Sequence, residues 1–206
     1  MQALIKKYYR YVIFMIRVYL YEKPRGLDFH MRDLTENKKS HGKIHGYSVS
    51  PEKHLKNIFK FLNITDRDGF LDIGCGKGFV LAYATKFNYH KIAGFDIFPN
   101  LTKIAEKNIS ILKLNNRVEV LTEDATRFSR YGEFNHLFMF NPFPSEIMES
   151  TLQRIVNSMD EIPRKLTIIY YNPTCHEDIV ATGRFHIVKE LYDSMKGYKT
   201  FIYESI

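Results

Sequence analysis

Phe70-Leu71-Asp72-Ile73-Gly74-Cys75-Gly76-Lys77-Gly78 is the stretch on which the fold turns. A short apolar run reads as a buried strand, three glycines at alternate positions make a tight turn, and the apolar residues from Phe79 onward read as a helix. Glycines let a backbone turn sharply and approach a ligand more closely than any side chain allows. In open α/β sheets, ligands bind beyond the carboxyl ends of the strands, which is where this turn lies. Its detail narrows the ligand. A dinucleotide fingerprint needs Gly-x-Gly-x-x-Gly, whereas here the spacing is Gly-x-Gly-x-Gly and Phe79 stands where the third glycine belongs. Asp72, two residues before the first glycine, would repel a pyrophosphate and suits a cationic amino group. No GxxxxGK[ST] pattern occurs, which excludes a Walker loop. Cys75 reads as a small filler within the turn.

Outward from this turn the pattern repeats. Residues 91–96, 118–121, 137–140 and 166–171 read as further buried strands, with helix-length stretches at 79–87, 102–114 and 144–157 between them. Strand–helix alternation implies a parallel sheet with helices on both faces. After a short helix near 177–181, the runs 185–191 and 198–203 lie close enough to pair antiparallel. The predicted fold is α/β and doubly wound: a mostly parallel seven-stranded sheet with an antiparallel last strand. Ahead of it, Ser50 is the expected N-cap and Pro51 the first residue of a helix through Leu55, Ile58, Phe59 and Leu62.

The chain of 206 residues is long enough for one self-sufficient core. Cys75 and Cys175 are its two cysteines, so neither a disulfide framework nor a cysteine zinc site is expected, and no HExxH pairing accompanies the eight histidines. Residues 1–60 carry thirteen Lys/Arg against five Asp/Glu, and residues 61–206 carry seventeen against eighteen. The net charge of +7 therefore belongs to the amino-terminal segment. Residues 3–21 read as a helix with Ile5, Tyr8, Tyr9, Val12, Met15, Ile16 and Tyr19 on one side and Lys6, Lys7, Arg10 and Arg17 mostly on the other. Its uncharged run is short for a signal peptide, and an Arg interrupts it as a membrane span. It packs against the body or a second subunit, or else it lies at a membrane surface. Residues 1–50 form a basic helix-and-loop extension to a domain of residues 51–206.

Over roughly residues 50–206 the chain resembles the class I S-adenosylmethionine-dependent methyltransferase superfamily. The resemblance implies S-adenosyl-L-methionine as cofactor, held by the Asp72, Gly74, Cys75, Gly76, Gly78 turn. The second strand ends in Gly94-Phe95-Asp96, and Asp96 takes the position of the acid that holds the ribose hydroxyls, with Ile97 beside it. After the third strand, Asp124 and Ala125 occupy the place next to the adenine amino group, with Glu123 a weaker contender. The fourth strand ends in Asn141-Pro142-Phe143-Pro144. Amine-directed members of the superfamily carry [DN]PP[YF] there. The likeness implies that Asn141, Pro142 and Phe143 form the catalytic motif, with Asn141 also at the cofactor, although the aromatic comes one place early. Tyr47 and Tyr171 are the expected substrate contacts.

The implied activity is methyl transfer by in-line displacement to an amine nitrogen of a nucleic-acid, protein or small-molecule substrate. Two alternatives stay open. One is a membrane-associated methyltransferase acting on oxygen or carbon of a lipid or glycan precursor. The other is a non-catalytic S-adenosylmethionine-binding module. The expected location is cytoplasmic. The basic segment suits nucleic acid, and residues 3–21 suit peripheral contact with a membrane.

Overall fold

A computed structural model describes residues 2–31 and 48–206. Helix α1 (Gln2–Ile16) runs into a π-helical turn (Arg17–Glu22) and a 3-10 turn (Lys23–Arg25). Then come α2 (Glu52–Phe61), β1 (Gly69–Ile73), α3 (Phe79–Ala84), β2 (Lys91–Asp96), α4 (Pro99–Ile111), β3 (Val118–Thr122), β4 (His136–Phe140), α5 (Ser145–Glu161), β5 (Thr167–Tyr171), α6 (His176–Ala181), β6 (Phe185–Asp193) and β7 (Tyr198–Ser205). The seven strands form one sheet in the order β3-β2-β1-β4-β5-β7-β6. β1 to β5 pair in parallel, and β7 enters antiparallel between β5 and β6.

Alternation along the strands sorts the core onto two faces. Leu71, Ile73, Leu137, Met139 and Ile168 pack with Leu152 and Ile155 of α5 and Ile179 of α6. Their neighbours Phe70, Ile92, Phe138 and Ile169 face the other way, against Leu55, Ile58 and Phe59 of α2 and Leu81 of α3. Helices therefore cover both faces, as the sequence implies.

The ends of the helices depart from the sequence expectation. Ser50 does not cap α2. Pro51 is the cap residue, in extended conformation, and its carbonyl accepts the amides of His54 and Leu55, so the helix proper starts at Glu52. α4 begins at Pro99, three residues before its expected start, because proline's fixed φ suits the first helical position. α3 stops after six residues at the Thr85 cap.

The extension divides in two. Residues 17–31 are fastened to the body. Arg17 pairs with Glu52, and buried Glu22 accepts the amides of Phe29 and His30 at 3.1 and 3.2 Å and meets the His30 ring. The Asp28 amide donates to Asn108 Oδ1 at 2.9 Å. α1, by contrast, carries Tyr8, Tyr9 and Tyr11 well exposed.

Candidate functional site

The glycine turn is pinned to the end of β2. The Gly74 and Cys75 amides both donate to the Phe95 carbonyl at 2.9 Å, and the Gly76 amide donates to Asp96 Oδ2 at 3.0 Å. At two of the glycines any side chain would be both strained and crowded. Gly78 has φ +80°, and a Cβ there would stand 3.1 Å from Ala105 Cβ, where α4 crosses close to the start of α3. Gly74 has φ +79°, and its Cβ would stand 3.1 Å from Pro142 Cβ. The loop after β4 thus lies directly against the turn after β1, so the expected catalytic motif and the expected cofactor turn meet.

Three of the predicted acids sit along this edge in different states. Asp72 is 3% exposed, and its carboxylate has no hydrogen-bond partner among the described residues. Burial first, and then the nearby Asp96 charge, push it well above the ordinary carboxylate range. Asp96 is also buried and raised by burial, but the amides of Phe98, Gly76 and Ile97 draw it back. Of its four lone-pair sites, three are taken by these amides and one is left for a further donor. Asp124 turns inward on its own loop, accepting both the amide and the hydroxyl of Thr126 at 2.8 Å. Ile97 is exposed at the end of β2, offering an apolar surface beside Asp96, while Ala125 is buried in the core. The Cys75 thiol is buried and pushed up by burial and then by the Asp72 and Asp96 charges, which leaves it an inert filler at neutral pH.

β4 and β5 both end in an asparagine of left-handed conformation, Asn141 (φ 39°) and Asn172 (φ 53°), a region asparagine tolerates better than most residues. Asn141 donates its amide to the Tyr171 carbonyl at 3.1 Å, and its side-chain oxygen accepts the Thr174 hydroxyl. Beside it opens a cleft of about 330 Å³ whose lining includes Asn172, Thr174, His176, Tyr198 and Lys199.

Two predicted contacts are not brought to this surface. Tyr171 is fully buried; its ring packs 4.2 Å from that of Phe140 and its hydroxyl bonds Asp193, so it faces the core and not a substrate. Phe143 is drawn into the apolar cluster above α5, because the aromatic one place early points to the core side. Tyr47 lies outside the described residues.

Other residues join the site unannounced by any motif. Lys77, inside the glycine turn, is 2% exposed and donates to both Asp28 oxygens at 2.9 and 2.8 Å and to the Met31 carbonyl at 2.7 Å. Asn108 of α4 bridges the Lys77 and Asp28 carbonyls at 3.0 Å each. A lysine in a turn that must be buried is a faint signal of a buried acid partner, but nothing in sequence points to one 49 residues earlier. Thr174 carries a fainter signal still: it follows an Asn-Pro at the end of a neighbouring strand.

The fold is a Rossmann-like α/β sheet whose glycine turn, Asp72 and Asp96 lie together at the carboxyl ends of β1 and β2. The sequence family described as methyltransferase domain matches residues 70–162. A Chlamydia caviae protein described as an uncharacterized RNA methyltransferase is 26% identical over 149 residues, which cover 69% of this chain and 36% of that protein. The chain thus spans about a third of the length of this curated relative. Among solved structures, the B. subtilis m1A22 tRNA methyltransferase TrmK superposes with a TM-score of 0.61 at 16% identity, over 77% of this chain and 68% of that one. An RNA methyltransferase from Salinibacter ruber in complex with S-adenosyl-L-homocysteine gives 0.59 at 14% identity, over 77% and 94%. These likenesses show a Rossmann-like fold with a methyltransferase-domain match over residues 70–162, and they imply S-adenosyl-L-methionine as the cofactor.

The residues fit that cofactor. A carboxylate kept from water without a partner demands a cation or a proton, and the cofactor's amino group is such a cation. When bound, S-adenosylmethionine supplies an electrophilic methyl group on a sulfonium sulfur.

Proposed function

We propose that the chain transfers this methyl group to an amine nitrogen, with an RNA base as the acceptor. The reading is carried by the contact between Gly74 and Pro142, which sets Asn141 beside the cofactor turn. In it, Asp72 receives the cofactor's amino group and Asp96 the ribose hydroxyls, while Asp124 and Ile97 flank the adenine. Asn141 Oδ1 already accepts the Thr174 hydroxyl. Its second lone pair accepts an N–H of the acceptor and holds the nitrogen's own lone pair toward the methyl group. Orientation of this kind supplies most of the catalysis, and the nitrogen sheds its proton to water as it is alkylated, so no strong base is required. The names of the relatives, and the surplus of Lys and Arg in residues 1–60, support RNA as the acceptor class.

The test uses methyl-labelled S-adenosylmethionine with a cell extract fractionated into RNA, protein, lipid and small molecules. The expected result is label in RNA, reduced about 100-fold in Asn141→Ala at unchanged cofactor affinity, a loss in line with removing one well-placed polar group. Label in lipid or small molecules, undiminished by that substitution, overturns both the acceptor and the role of Asn141.

A further inference from the structure

Seven of the fifteen large exposed hydrophobic side chains among the described residues fall within residues 8–21. Tyr8 and Leu20 are each 71% exposed, and Tyr9, Tyr11 and Ile16 are more than half exposed. Between positions 8 and 21 the sequence is apolar or aromatic except for Arg10 and Arg17. Exposed apolar and aromatic side chains clustered along one segment in this way mark an interaction site. Among the described residues, Val18 and Glu22 at the far end of the stretch are buried, and Val12, Ile13, Phe14 and Met15 are half-buried.

Charge says what covers it. Residues 1–21 hold Lys6, Lys7, Arg10 and Arg17, of which Arg17 already pairs with Glu52, and the first acid in the sequence is Glu22. A symmetric contact with a second copy would bring this basic run against itself. RNA would satisfy the charge but not Ile16 and Leu20, whose exposed aliphatic surface has nothing to stack on a base. An anionic bilayer satisfies both, since basic groups meet the headgroups while the aliphatic and tyrosine side chains sink to the acyl boundary. Lys23 lies 4.2 Å over the Tyr19 ring and Arg25 4.3 Å over the Tyr21 ring, so cations stand beside the exposed tyrosines as they do at such a boundary. At fifteen residues α1 is about 22 Å long, short of the hydrocarbon thickness, and no helix among the described residues is long and apolar enough to cross a membrane.

We propose that α1 and the turn after it dock flat on an anionic lipid surface. Because residues 28–31 grip Lys77 of the glycine turn, docking there fixes how the cofactor edge stands to the bilayer. The proposal does not rest on the acceptor being RNA.

The full chain and an Ile16→Glu/Leu20→Glu variant are sedimented with vesicles of phosphatidylcholine alone and of phosphatidylcholine and phosphatidylglycerol in equal parts. Both altered positions are exposed, so an unchanged Tm verifies folding. The wild type is expected to partition at least tenfold more strongly onto the anionic vesicles, and the variant to lose at least tenfold of that binding. Absence of vesicle binding overturns the proposal. So does a wild-type dimer in solution that the same variant abolishes, or RNA binding that the variant abolishes while vesicle binding persists.

Discussion

Glu22 and Asp72 are carboxylates equally removed from water, at 1% and 3% exposure, yet the protein treats them in opposite ways. Burial pushes the Glu22 carboxyl up, but the His30 ring and the amides of His30 and Phe29 outweigh it and hold the group below its ordinary value. Asp72 has burial and the Asp96 charge acting on it in the same direction and nothing opposing them. One buried acid is satisfied by its neighbours and the other has no hydrogen-bond partner among the described residues, which is what the proposed function asks of a carboxylate that receives a ligand. Glu22 ties residues 29 and 30 to the turn before them; in the proposed function Asp72 is the acid that receives a cation.

Exchanging each acid for its amide separates the two roles most strongly. Asp72→Asn is expected to weaken S-adenosylhomocysteine binding roughly 10- to 100-fold, the worth of a charge-assisted hydrogen bond, as read by calorimetry. Glu22→Gln is expected to leave that affinity within about threefold. Its effect falls on stability, with a loss of about 2 kcal/mol, or a Tm lower by about 4–8 °C for a chain of this size.

Smaller effects sharpen the contrast through pH. Asp72 holds its proton more tightly folded than unfolded, so it lowers stability as pH rises from the ordinary carboxylate range through its raised value. Asp72→Asn should therefore raise the Tm at neutral pH by about 2–4 °C, the equivalent of roughly 1 kcal/mol, even as it removes ligand affinity. Glu22 has the reverse sign: its contribution is complete above its unfolded value of 4.5 and disappears as pH falls below it. Thermal melts of both variants against pH check both signs. A rise in affinity with pH in the wild type, absent in Asp72→Asn, is the smallest of these effects, since Asp72 must ionise to receive a cation.

The same contrast marks how far the sequence could be read. The strands, their parallel pairing and the glycine turn are local signals: periodic apolar runs and glycines whose spacing states their purpose. The order in which Asp72, Asp96 and Asp124 follow the strands placed them on one edge, and the structure brings Gly74 and Pro142 together there. The failures are long-range. Nothing near Asp28 announces that it will clamp Lys77, and nothing near Tyr171 says that its hydroxyl will be taken by Asp193 from β6. Phe143 was legible only by analogy to a motif with its aromatic one place later, and that one-place shift turns the ring into the core. Capping at Pro51 failed for a different reason. Proline fits both the cap and the first turn, and only the direction of the preceding chain decides between them.

We propose that Asp72, which has no hydrogen-bond partner among the described residues, receives the amino group of S-adenosylmethionine, and the proposed function depends first on this. The most direct test is calorimetric titration of the wild type and Asp72→Asn with S-adenosylhomocysteine in two buffers of different ionisation enthalpy, which counts the protons exchanged on binding. The expected result is at least tenfold weaker binding by the variant, and more protons released on binding by the wild type than by the variant. Equal affinities and equal proton counts in the two proteins would contradict it.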